Sequence, residues 1–174
     1  MELNEVIKKR RATRKYKQGE TMDEETLLDI LKQASMGPSK GNTHPVEFLI
    51  VEDEEKKERL AQIKKFGTKY LGEAPQIIVI LGNNTEESTW VEETSIVASY
   101  LGLLLTDAGY QSSWVNIRDV KDNDGRPAED VVRELFNIPA EYGILCLIPF
   151  GIADERLPKR RDFDISSKVH MGEF

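Results

Sequence analysis

The chain has 174 residues, 39% hydrophobic and 32% charged, with a formal charge of −7. That length and balance fit one folded domain with its own core and exclude a disordered chain. The net acidity argues against a general nucleic-acid binder, which needs a broad basic face. One cysteine, Cys146, excludes an internal disulfide, and with only His44 and His170 as histidines a thiolate or histidine metal site is not expected. Met1-Glu2-Leu3-Asn4-Glu5 has the form of neither a signal nor a transit peptide, and no apolar run reaches membrane-spanning length, so a cytoplasmic location is expected.

Leu3, Val6, Ile7 and Arg10 recur at helical spacing, which predicts a short first helix running into Arg10-Arg11-Ala12-Thr13-Arg14. Three guanidinium groups within five residues can converge on one multiply charged anion, and a cofactor phosphate suits their fork geometry. A solvated helix end with cations near its C-terminal dipole is the other reading. Thr21-Met22-Asp23-Glu24 has the form of a capping box, with Thr21 as N-cap, for a helix through about Ser35 that turns Leu27, Leu28, Leu31 and Ala34 inward.

Pro38 to Pro45 is a loop by composition, stiffened by two prolines and carrying Ser39, Asn42 and Thr43. Val46-Glu47-Phe48-Leu49-Ile50-Val51 follows directly as a strand. Such a loop suits a ligand-binding edge, or an ordinary connection. Asp53 then caps a charged helix to about Lys65, with Leu60 and Ile63 buried. Gln76 to Leu81 is a strand whose continuous apolar character predicts burial on both faces.

Thr89-Trp90-Val91-Glu92 opens the longest helix, to about Ala108. Its small residues Ser95, Ala98, Ser99 and Gly102 fit tight packing inside one subunit or a helix at a subunit interface. Gln111 to Asn116 reads as a strand or extended edge, Pro127 to Phe136 as a short helix, and Tyr142 to Phe150 as a third strong strand. The tail from Ile152 to Phe174 is polar, basic at Lys159-Arg160-Arg161, and without a clear period. The order indicates an α+β or mixed layered domain.

Several of these segments together resemble the nitroreductase family of FMN-dependent flavoenzymes, almost end to end. Arg10-Arg11-Ala12-Thr13-Arg14-Lys15-Tyr16 is similar to the family's R-R-S-x-R-x-F/Y, and Pro38 to Phe48 to its P-S-x-x-N-x-Q-P-W-x-F. The long helix ending in Ala108-Gly109, the segment closing on Trp114, and Ile138-Pro139 followed by a strand, Gly151 and a basic tail continue the pattern. The chain departs from it at Ala12, where Ser is frequent, at His44, where Gln is usual, and at Val46, where Trp is usual.

The resemblance implies a single nitroreductase-like α+β domain over 1–174, with an extended tail from about 152. It implies a central, mostly antiparallel sheet flanked by helices, and an intertwined homodimer with FMN sites at its interface. Arg10, Arg11 and Arg14 would belong to the flavin site from one subunit, with Arg10 near the phosphate and Arg14 near the pyrimidine edge. Pro38, Ser39 and Asn42 would come from the other. Lys159 and Arg161 would complete the phosphate clamp, and the backbone leading to Ser113 and Trp114 would approach the ring. The implied reaction takes hydride from NADH or NADPH through flavin to nitroaromatic, quinone or similar conjugated acceptors. A non-catalytic flavin-binding or flavin-handling protein of the same fold is the alternative. With flavin carrying the chemistry, no side-chain nucleophile is needed. Trp114 also reads as a core residue, His44 as a loop histidine bonded to backbone, Lys69 as a further flavin contact or a solvated lysine, and Arg160 as solvated.

Overall fold

The computed structural model describes residues 1–85, 88–160 and 162–174. Helices α1 (Leu3–Lys9) and α2 (Glu24–Ala34) precede β1 (Val46–Val51) and α3 (Glu54–Ala61). Then come β2 (Gln76–Asn83), the long α4 (Trp90–Asp107), β3 (Gln111–Ser112), β4 (Val115–Asn116), α5 (Ala128–Phe136) and β5 (Tyr142–Gly151). The sheet order is β1-β2-β5-β3, with β4 also on β5, and every pairing is antiparallel. This is the expected α+β architecture.

Period-2 alternation in β2 splits the core into two layers. Ile77, Val79 and Leu81 face Leu60, Ile63, Leu71 and Val132, under α3 and α5. Ile78 and Ile80 face Leu27, Ile30, Leu31, Val97, Leu101 and Leu105, under α2 and α4. All of these side chains are buried, each contributing roughly 1.5–3 kcal/mol relative to exposure. Cys146 is a buried member of the α2–α4 layer.

Three details differ from the sequence reading. The N-cap of α2 is Asp23, not Thr21: its carboxylate accepts the Thr26 N–H at 2.9 Å and the Thr26 hydroxyl at 2.8 Å. Gln76 exchanges two hydrogen bonds with the main chain of Met22, which holds Met22 extended so that the helix starts after it. On α2 the fourth inward residue is Ile30, while Leu28 is exposed. Helix α3 ends at Ala61 rather than near Lys65, because the Thr68 hydroxyl takes the Ala61 carbonyl at 2.9 Å; Ile63 is buried all the same.

The edge facing β5 breaks between β3 and β4. Ser113 donates its N–H to the Pro149 carbonyl at 3.2 Å, so Pro149 presents its main chain to that edge, yet it has no N–H to give back. The ladder stops there, and Trp114 turns out of the sheet, 42% exposed. Trp114 is therefore not a core residue.

Candidate functional site

The basic segment is held as a second layer along the sheet edge. Arg10 is the C-cap of α1, and from it the chain leaves extended. Ala12 bridges Ser112 in parallel, Thr13 donates its N–H to the Ser112 carbonyl at 3.3 Å, and Arg11 donates its N–H to Gln111 Oε1 at 3.3 Å. The tail then returns along the same segment. Lys17 N–H bonds the Ile152 carbonyl, Asp154 N–H bonds the Lys15 carbonyl, and Glu155 accepts the N–H groups of Arg14 and Lys15.

This doubling-back creates a cavity of about 490 Å³ between α1, α4 and the β3–β4 break. Its volume lies in the range of small-molecule and cofactor sites. Ile7, Leu103 and Ile148 give apolar walls, Ala98, Ser99 and Gly102 form the α4 side, and Ser112, Ser113 and Trp114 form the sheet side. Among the described residues, Arg10 and Arg160 are its charged groups. Arg160 Nη2 donates to the carbonyls of Ile7 at 3.0 Å and Arg10 at 3.4 Å, which fixes the tail's guanidinium at the end of α1. Burial, then the charges of Arg160 and Arg11, pull Arg10 below its ordinary value. Like charges gathered in a half-buried cleft are stabilised by an anion.

The sequence-predicted residues divide. Arg10, Ser113 and Trp114 line the cavity. Arg14 does not, but its guanidinium lies 5.9 Å from the centroid of the Tyr70 ring, and the Tyr70 hydroxyl is 2.8 Å from Ser113 Oγ, so it is linked to the lining. Arg11 points elsewhere: it donates to the carbonyls of Lys8, Arg10 and Pro158 and ties α1 to the tail. Lys159 is exposed and outside the lining, and Arg161 lies outside the described residues.

Pro38, Ser39 and Asn42 sit at the other end of α4. The Ser39 hydroxyl donates to Glu93 at 2.7 Å, and Lys40 N–H donates to the same carboxylate. Ser39 Oγ accepts the His44 N–H at 2.9 Å, and the His44 ring bonds Asn42 Oδ1 at 3.0 Å. Gly41, Asn42 and His44 all have positive φ, a left-handed path that is costly for Asn and His. Glu93 and Gly102 are nine residues apart on α4, about 13 Å along its axis at 1.5 Å per residue. Within one chain this loop and the Arg10 cavity are separate.

Sequence reasoning passed over Arg160 and Ser112. Arg160 lies in a segment with no period, so nothing local marked it as a residue whose guanidinium reaches the end of α1. Ser112 was within the segment expected to approach the ligand, but only its pairing with Ala12 marks it individually.

The family model described as the Nitroreductase family matches residues 7–67 and 63–152. A Methanothermobacter thermautotrophicus protein provisionally named NADH dehydrogenase/NAD(P)H nitroreductase is 28% identical over 98% of this chain and 87% of its own length. The iodotyrosine deiodinase of Thermotoga neapolitana is 27% identical over 90% of this chain and 91% of its own. Among solved structures, an FMN-dependent nitroreductase from Clostridium difficile superposes with a TM-score of 0.90 at 36% identity, covering 97% of this chain and 98% of that one. An oxidised iodotyrosine deiodinase bound to FMN and 3-iodo-L-tyrosine superposes with a TM-score of 0.82 at 25% identity, covering 99% and 100%.

Proposed function

The chain belongs to the nitroreductase family, and from that premise we propose that it is an FMN-dependent oxidoreductase taking hydride from NADH or NADPH and reducing a nitroaromatic, quinone or similar conjugated acceptor. The observation that carries this reading is the convergence of Arg10 and Arg160 on a cavity otherwise walled, among the described residues, by apolar side chains, Gly102 and three serines. That donor set fits FMN: paired guanidinium groups for a phosphate close to a dianion, and a flat apolar wall for a ring system. Bound there, FMN supplies the hydride chemistry.

The chain's own residues bind and orient. Arg10 and Arg160 would hold the phosphate. Ile7, Leu103 and Ile148 exclude water from the ring. Ser113 is fixed by its N–H bond to Pro149 and by Tyr70, and Arg14 lends positive potential to that side of the cavity. A donor of this kind makes the cytoplasm the expected location.

The working unit in this reading is a homodimer. Leu3, Ile7, Tyr100 and Trp114 leave apolar surface exposed around α1 and α4, and Phe163, Ile165, Val169 and Met171 do so along the tail. A second copy packed on α4 would bring its Pro38, Ser39 and Asn42 loop to the cavity, from which the chain's own loop is separate.

The likeness to iodotyrosine deiodinases favours a second acceptor class, a halogenated phenol that gains two electrons and a proton as halide leaves. Steady-state oxidation of NADH and NADPH with added FMN, against a quinone, a nitroaromatic and an iodophenol, tests the reading. Turnover that requires both FMN and an acceptor is expected, and iodide release would select the second class. A flavin-loaded dimer that oxidises neither donor would leave the non-catalytic flavin-binding alternative.

A further inference from the structure

A second concavity, of about 510 Å³, lies at the carboxyl end of α3, lined by Lys64, Lys65, Lys69, Glu58, Gln62 and Asn123. Three lysines face one carboxylate here, in a chain whose formal charge is −7. Among the described residues none of the three is in an ion pair. The helix-end carbonyls that lysines often serve are already taken: Thr68 Oγ1 donates to Ala61 at 2.9 Å and to Lys64 at 3.2 Å, and Asn123 Nδ2 donates to Gln62 at 2.8 Å. Glu58 accepts from Gln62 Nε2 at 3.1 Å. The nearby Asp122 is turned to its own loop, accepting the N–H groups of Asp124 and Arg126.

Two links join this hollow to the Arg10 cavity. Lys64 Nζ donates to the Asn116 carbonyl at 3.1 Å, and Asn116 Oδ1 accepts the indole N–H of Trp114, which lines the cavity. Lys69 precedes Tyr70, whose hydroxyl meets Ser113 Oγ at 2.8 Å. The lysines are thus joined to the cavity wall through Asn116 and Trp114 on one side and through Tyr70 and Ser113 on the other.

We propose that this hollow binds the 2′-phosphate of NADPH and makes NADPH the preferred donor, an inference that rests on the flavin-site reading above. NADH and NADPH differ by that one phosphate monoester. Ammonium groups on flexible stems hold phosphate as point charges without demanding a fixed fork geometry. Burial draws Lys64 below its ordinary value, and a neighbouring dianion reverses that shift.

The test is the double substitution Lys65→Glu with Lys69→Glu, both at exposed positions. With NADPH, KM should rise about tenfold or more, while KM for NADH stays within about twofold and kcat is unchanged for both. In parallel, adenosine 2′,5′-bisphosphate should bind the wild-type protein, more tightly than adenosine 5′-monophosphate, and lose that advantage in the variant. Equal changes with both donors, or no change, would overturn the proposal, since general steering by charge acts on every anion. If the wild type oxidises neither donor yet binds the 2′,5′-bisphosphate through these lysines, the hollow stands and the flavin reading falls. If it turns over but binds the bisphosphate no better than the variant, the hollow falls alone.

Discussion

Arg160 donates a hydrogen bond to the main-chain carbonyl of Arg10, at 3.4 Å, while its charge repels the Arg10 guanidinium. The tail thus brings a second cation onto the residue that already ends α1. Such an arrangement is stabilised by an anion between them. Arg10→Ala and Arg160→Ala should each weaken FMN about 10- to 100-fold, the range for losing charge-assisted hydrogen bonds. Arg10→Lys should recover only part, for want of the fork. Quenching of flavin fluorescence on titration measures this, and an unchanged Kd in both alanine variants would mean that the two cations serve only the fold.

Glu93 anchors the Pro38–His44 loop. Its buried carboxylate accepts from the Ser39 hydroxyl, the Lys40 N–H and the Thr89 hydroxyl. Glu93→Ala removes the acceptor of all three contacts, and because the donors are half-buried or exposed and can turn to water, the cost is about 1–3 kcal/mol in all. Faster amide exchange at Lys40 and His44, with β2 still protected, is the expected signature.

Gly143 is required by the indole of Trp90, which occupies the place of a Cβ there. Gly143→Ala should cost about 1–3 kcal/mol, as overpacking does. Urea unfolding should show a lower midpoint at constant slope. Trp90→Leu in the same chain should restore part of the loss, because it removes the overlapping ring.

Tyr16 and Cys146 are both buried, and burial raises both above their ordinary values. The folded chain keeps each proton at pH values where the unfolded chain has released it. Stability from these groups is therefore fully present below the unfolded values, about 8.5 for Cys and 10 for Tyr, and is lost as pH rises above them. Tyr16→Phe should flatten the fall in urea midpoint above about pH 10. A thiol reagent at neutral pH should reach Cys146 only as fast as the core opens.

Strands β2 and β5 and helix α4 were legible because burial on both faces, or on most of a helix, writes long apolar runs, and β1 because its half-buried apolar run starts directly after Pro45. The α2 start was not, since Thr21 and Asp23 both have capping chemistry and the choice is made from 54 residues away, by Gln76 on Met22. The exposure of Trp114, which sets aside its reading as a core residue, was not legible for a similar reason: it follows from Pro149 across the sheet. At the site, Arg10 stood out as part of a local cluster. Arg160 did not, because an irregular tail takes its register from the surface it lies on.

The most direct measurement is the visible absorption spectrum of the purified protein during titration with FMN. The account predicts a shifted, protein-bound flavin spectrum saturating at one FMN per chain, and bleaching when NADPH is added without acceptor. A protein that stays colourless and leaves the spectrum of added FMN unchanged would contradict it.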